Sequence, residues 1–176
     1  MILRLLCILY LSTISNVYAD DKFYSELAKY YDRAQCIIIL QHFLGANYSI
    51  DQKLEERIDI CTTIIKHSDD VIDALATAWR ESNFTNVVDY TGSSYGPLQF
   101  IKTHWCDEKR WGPVNCEPIQ RGIWVHNYHF KTIKNERKRF CAYIGAKDCF
   151  SPKIDNMWKQ HQSRKRQIKK RFYLIK

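Results

Sequence analysis

The stretch SDDVIDALATAWRESNF, residues 68–84, decides how the rest of the chain is read. Val71, Ile72, Leu75, Ala76 and Trp79 recur at three- and four-residue steps, the period of a helix with one buried face. Ser68 reads as the N-cap, with Asp69 and Asp70 in the first turn, where the helix dipole favours negative charge. The helix is expected to end near Asn83, which puts Glu81 in its last turn. The dipole is negative there, so an acid is locally unfavourable, and local conflicts of this kind gather at functional sites.

Upstream, residues 21–67 carry two further helical patterns. Phe23, Leu27, Tyr30, Tyr31 and Ala34 lead into an apolar run from Cys36 to Leu44, and Gly45-Ala46-Asn47 reads as a stop. Leu54, Ile58, Cys61, Ile64 and Ile65 then share one face of a helix from about Ile50 to His67. Downstream, residues 84–95 are irregular, with a loop at Thr91-Gly92-Ser93-Ser94. Residues 105–116 mix aromatics with breakers, Trp111-Gly112-Pro113 among them. Helices are expected at 120–130 and 131–144. Nothing alternates as a strand would, so the expected fold is mostly α.

The chain has 176 residues. Residues 1–19 have one early charge, Arg4, an apolar stretch and small residues before Ala19, the pattern of a cleaved export signal. Export to the periplasm or beyond, with cleavage near Ala19, is expected. Six of the seven cysteines follow that segment, and an even number in an exported chain argues for disulfides. Six cysteines allow 15 pairings. The sequence-local set, Cys36–Cys61, Cys106–Cys116 and Cys141–Cys149, is the expectation. No C-x-x-C pair argues for a structural zinc, and neither a metal nor another cofactor is expected. His126 and His129 read as surface or structural residues.

The net charge of +8 is uneven: residues 153–176 hold nine Lys or Arg against Asp155, while residues 20–152 are near neutral. A nucleic-acid-binding domain would carry its charge on the folded face, so no nucleic-acid partner is expected. The division is a domain at 20–152 and a basic C-terminal tail at 153–176. That tail reads as a solvated amphipathic helix suited to contact with an anionic membrane surface, with Ile154, Met157 and Trp158 on one side. A monomer is expected.

Two segments bear on chemistry: Glu81-Ser82-Asn83-Phe84 after its helix, and Gly96-Pro97-Leu98-Gln99, with Gln99 eighteen positions beyond Glu81. Together they resemble the soluble lytic transglycosylases, relatives of goose-type lysozyme, whose signature is a catalytic Glu-Ser at a helix end followed at fixed spacing by Gly-Leu-Met-Gln. Ala142-Tyr143-Ile144-Gly145 resembles the family's Ala-Tyr-Asn element, and Gln120-Arg121-Gly122-Ile123-Trp124 the helix before it. The likeness covers roughly residues 70–145. The chain departs from the family at Pro97-Leu98, at Tyr90 and Thr91 where a Ser is usual, and at Ile144 in place of Asn.

The resemblance implies a lysozyme-like helical domain that cleaves the bond between N-acetylmuramic acid and N-acetylglucosamine in peptidoglycan. Glu81 would act first as acid and then as base, closing the muramoyl hydroxymethyl oxygen onto the anomeric carbon. Most glycosidases need two carboxyls, but substrate assistance removes that need. An acid of this kind works in its protonated form, which burial among apolar groups favours. Trp79, Phe84, Tyr95, Phe100 and Trp105 are the expected lining. Gln99 and Tyr143 would hold the sugar or its acetamido group, with Thr91, Tyr95, Gly96, Leu98 and Phe100 as further substrate contacts. The structural alternatives are a solvated Glu-Ser pair, a loop-ordering Gln99 and a core Tyr143.

Size and single-domain build resemble specialised transglycosylases that open the wall for a secretion, conjugation or pilus apparatus, or phage-borne ones. A hydrolytic muramidase, with Asp89 or Thr91 holding water, is the nearest competitor. A non-catalytic peptidoglycan-binding scaffold and a membrane-active protein working through its tail are the others.

Overall fold

The computed structural model describes residues 21–172, with side chains from Glu26 onward. The expected export signal therefore lies outside the described residues. Two compact units are present, one ending at Tyr31 and the other beginning at Asp32. Helix α1 (Asp21–Leu44) carries the described part of the first, where Lys29 pairs with Glu26 at 2.8 Å. All that follows concerns the second.

The helical stop at Gly45 is a 3₁₀ turn, Gly45–Ile50, and α2 runs Leu54–His67, starting later than the apolar pattern suggested. Ser68 closes α2, its amide donating to the Ile64 carbonyl at 3.0 Å, so it is not the cap of the next helix. That role falls to Asp70, whose Oδ1 accepts from the Asp73 amide at 3.1 Å and starts α3 (Val71–Ser82). A carboxylate at the positive end of a helix dipole serves as well as a hydroxyl there. After α3 come two-residue strands β1 (Ser94–Tyr95) and β2 (Phe100–Ile101), antiparallel with Tyr95 opposite Phe100. Short helices α4 (Lys102–Trp105) and α5 (Glu108–Trp111) lead to α6 (Pro118–Thr132), α7 (Glu136–Tyr143) and α8 (Pro152–Phe172). The chain is mostly helical, as expected.

Disulfides join Cys36–Cys61, Cys106–Cys116 and Cys141–Cys149, the sequence-local set. The first ties α1 to α2 inside the core, where both cysteines are fully buried. Around them lie Ile39, Leu40, Ile58, Ile64, Ala74, Leu75 and Ala78.

Of the expected tail at 153–176, residues 153–172 are described; they are helical and packed rather than a solvated tail. Helix α8 packs on α3, with Ile168 fully buried in the core and His161 1 % exposed. Some of its basic residues are used internally, while Lys153, Arg166, Lys169 and Lys170 face outward. Lys165 Nζ lies 2.8 Å from Asp73 Oδ1 and also pairs with Glu136, and Arg164 sits over the Trp79 ring. Charge composition registers the excess of lysine and arginine but not the acids on other helices that Lys165 reaches.

Candidate active-site groove

Glu81 sits in the last turn of α3, and the chain turns sharply after it. Asn83 and Phe84 both have positive φ, 54° and 58°. A bulky side chain is rarely found there, and such strain persists only where the surroundings over-determine it. Here they do. The Asn83 and Phe84 amides donate to the Trp79 and Ala78 carbonyls, Arg57 of α2 donates to the Asn83 carbonyl, and Phe84 is fully buried. Ser82 Oγ reaches across to the Pro97 carbonyl at 2.8 Å, joining the helix end to the second sequence element.

That element is the tight connection between β1 and β2. Gly96 has φ +74°, and a Cβ on it would lie 2.8 Å from the Pro118 carbonyl oxygen at the start of α6. On the other side, Gly122 of α6 lets Leu98 approach, a Cβ there meeting the Leu98 side chain at 3.1 Å. Leu98 is fully buried. Gln99 is the third non-glycine residue at positive φ, 50°. All three such residues belong to the two segments singled out in the sequence.

Glu81, Gln99 and Tyr143, from α3, the β1–β2 connection and α7, line one groove of about 380 Å³ with Asp89, Ser94, Ile101, Ile144 and Met157. The Gln99 side-chain NH₂ donates to the Val87 and Gly96 carbonyls at 2.9 and 2.8 Å, so that end of the amide orders the loop. The Tyr143 hydroxyl donates to the Leu98 carbonyl at 2.6 Å. Burial, and secondarily the nearby Glu81 charge, push that hydroxyl well above its ordinary range, so it stays a donor. Tyr143 thus braces the loop beneath the groove. Glu81 itself is paired with its neighbour: Arg80 Nε donates to Oε1 at 2.9 Å and Nη2 contacts the same oxygen. Arg80 was not read from the sequence, although adjacency to an acid was there to be seen.

The other candidates fall elsewhere. Gly96 and Leu98 are buried supports. Tyr95 is half-buried, with Lys102 Nζ 4.7 Å from its ring centroid, and Thr91 is exposed; neither lines the groove. Phe100 and Trp105 line an adjoining cavity instead. Of the expected aromatic lining of Glu81, Phe84 belongs to the core and Trp79 stacks on Phe43 at 3.6 Å. The walls around Glu81 are aliphatic, from Ile101, Ile144 and Met157.

Asp89 accepts from Thr91 Oγ1 at 2.7 Å, the Ser93 amide at 2.8 Å and the Ser94 amide at 3.0 Å. The Ser94 amide above all holds its carboxyl down at about 2, so Asp89 is ionised throughout the neutral range.

Behind the groove lies a buried polar network. Asp73 of α3 accepts from His126 Nε2 at 3.0 Å and His161 Nε2 at 2.9 Å besides Lys165. Burial pushes its carboxyl up, but the two histidine hydrogen bonds and the neighbouring charges more than offset this and hold it well below the ordinary range. Burial pushes His161 down, toward a neutral ring donating through Nε2. Among the described residues no group of His, Cys, Asp or Glu is arranged to hold a metal ion, and no helix is long and apolar enough to cross a membrane. Compared with known proteins, the chain matches no family model, no curated protein and no solved structure.

Proposed function

We propose that this chain is a peptidoglycan lytic transglycosylase of lysozyme-like build that acts after export, with Glu81 as its acid and base. The observation that carries this reading is the convergence of Glu81, Gln99 and Tyr143 on one groove from elements 62 residues apart. Strained backbone at Asn83, Phe84 and Gln99 supports it, since such strain collects where side chains must be aimed. Three disulfides suit an oxidising compartment.

In this mechanism Arg80 keeps Glu81 Oε1 and leaves Oε2 toward the sugar. As the glycan enters, the Glu81 proton passes to the glycosidic oxygen and the bond to the muramoyl anomeric carbon breaks. The carboxylate, oriented again by Arg80, then takes the proton of the muramoyl hydroxymethyl group. That oxygen bonds to the anomeric carbon, so the product is the anhydro sugar, no water is consumed and Glu81 regains its proton. Gln99, fixed by its NH₂, keeps its carbonyl oxygen for the substrate. With a glycan seated, Ile101, Ile144 and Met157 would shield the reacting atoms from water, which would otherwise divert the reaction.

A hydrolytic reading is favoured by one observation: ionised Asp89 lines the same groove and is suited to orient a water. Digestion of purified sacculi separates the readings. The wild type should release muropeptides with anhydromuramoyl ends, and Glu81→Gln should be slower by about 10²–10⁴-fold. Reducing ends, heavier by one water, would favour the hydrolase. Equal behaviour of wild type and Glu81→Gln would favour the scaffold reading, and no release by the wild type would sink the enzyme reading altogether.

A further inference from the structure

The groove continues past Tyr143. A second cavity, also about 380 Å³, shares Gln99, Ile101 and Tyr143 with the first, so the two abut across those side chains. Its size is within the range of ligand pockets, ~300–1,000 Å³. The walls change character here. Around Glu81 they are aliphatic, whereas this arm is faced by Trp105, Trp111 and Tyr128 with His104. Trp105 and Trp111 stack with centroids 5.0 Å apart and planes 23° from parallel. The two indole faces cover each other, so this arm offers a sugar a broad apolar aromatic wall rather than a free ring face.

Arg110 also lines this arm. It is exposed, and its guanidinium carbon lies 5.3 Å from the Trp111 ring centroid and Nη1 3.5 Å from His104 Nδ1. Among the described residues it makes no ion pair. Nearby arginines are occupied: Arg80 on Glu81, Arg121 on the Trp105 carbonyl and Arg137 on Asp155. A guanidinium held over an indole, with one long hydrogen bond to His104 and no carboxylate partner among the described residues, is a planar fork for a carboxylate.

We propose that this second arm binds a carboxylate-bearing sugar of the substrate glycan, with Arg110 as the contact that selects it. The inference rests on the glycan-cleaving reading of the same groove. Peptidoglycan offers two sources of carboxylate: the lactyl group of muramic acid where no peptide is attached, and the peptide stem where one is.

The test is calorimetric binding by the full chain carrying Glu81→Gln, which prevents turnover. Three ligands are compared: a neutral N-acetylglucosamine tetramer, peptide-free glycan with lactyl carboxylates, and peptide-bearing glycan. At least one carboxylated glycan should bind about tenfold more tightly than the neutral tetramer, the usual scale of one charge-assisted hydrogen bond. Adding Arg110→Gln should remove most of that advantage without weakening the tetramer, and Lys109→Gln next door should leave it intact. Tighter binding of the peptide-free glycan supports the proposal with the lactyl carboxylate as its target, and tighter binding of the peptide-bearing one supports it with the stem. Equal affinity for all three, or an advantage that survives Arg110→Gln, overturns the proposal while leaving the groove a glycan site. Binding of none of the three overturns the functional reading itself.

Discussion

Asp73 and Glu81 stand eight residues apart on α3, and their surroundings differ in kind. Asp73 is buried, and donors from α6 and α8 close on it: His126, His161 and Lys165. Lys165 extends the network to Glu136 of α7. Among the described residues Glu81 makes one ion pair, with Arg80, and opens onto a groove. The closed end organises charge so that none is left uncompensated in the interior, which is the condition under which buried ions are tolerated. The open end keeps its carboxylate within reach of a ligand. One helix therefore joins a closed anchor to the carboxylate proposed to do the chemistry, and the rigidity of the first bears on the aim of the second.

The comparison breaks most decisively at Asp73. Asp73→Ala removes an acceptor shared by three donors and leaves Lys165 and two histidines facing a gap. Urea unfolding should show a loss of about 3–5 kcal/mol, the usual scale for stripping one partner from a buried pair. Glu81→Gln takes the charge from the partner of a largely buried Arg80 but leaves it a carbonyl acceptor, so the loss should be smaller, about 1 kcal/mol. Similar losses for the two would erase the distinction.

Tyr143→Phe tests the link between the two ends. It strips the donor from the Leu98 carbonyl, and about 1–3 kcal/mol of stability should go with it. If the variant instead unfolds like the wild type and loses only glycan affinity, Tyr143 is a substrate contact and not a brace.

Acid should weaken the closed end. Burial holds His129 down at about 4 and pushes His161 below its ordinary value, so the unfolded chain binds protons that the folded chain refuses. That contribution to stability is present above pH ~6.5 and is lost as pH falls toward 4. Asp73, depressed in the fold, adds a further loss only as pH drops below ~4. The melting temperature should therefore decline from pH 7 to 4, and His129→Phe should flatten part of that decline. A flat profile in the parent protein would show that these rings protonate without cost.

The smallest effect is expected at Thr91. Thr91→Val removes one of several donors to Asp89 at an exposed position and should cost no more than about 0.5 kcal/mol. A large loss of sacculus digestion with unchanged stability would instead mark the 89–94 loop as part of the chemistry.

Much of the candidate site was legible because it is written in local pattern. The helix ending at Ser82, and Gln99 eighteen residues after Glu81, are features of neighbouring residues, and the structure brings both to one groove. Tyr143 joined them there. Tyr95, Gly96 and Leu98 belong to the same motif but support the loop from outside the groove, since a motif records which residues occur together and not which way each side chain points.

The sequence alone determined the mostly helical fold and the limits of α3 to within two residues; for the six cysteines it offered only the sequence-local set as one of 15 pairings, the set the structure joins. Helical periodicity is set within a turn or two of backbone, and short loops close at little entropic cost, so nearby cysteines meet first. Only the tertiary structure decided that α8 packs on α3 and buries His161 and Ile168, and that Met157 walls the groove. The contacts responsible join residues far apart in sequence, 92 positions for Lys165 and Asp73, and depend on how helices pack, which no local spacing encodes.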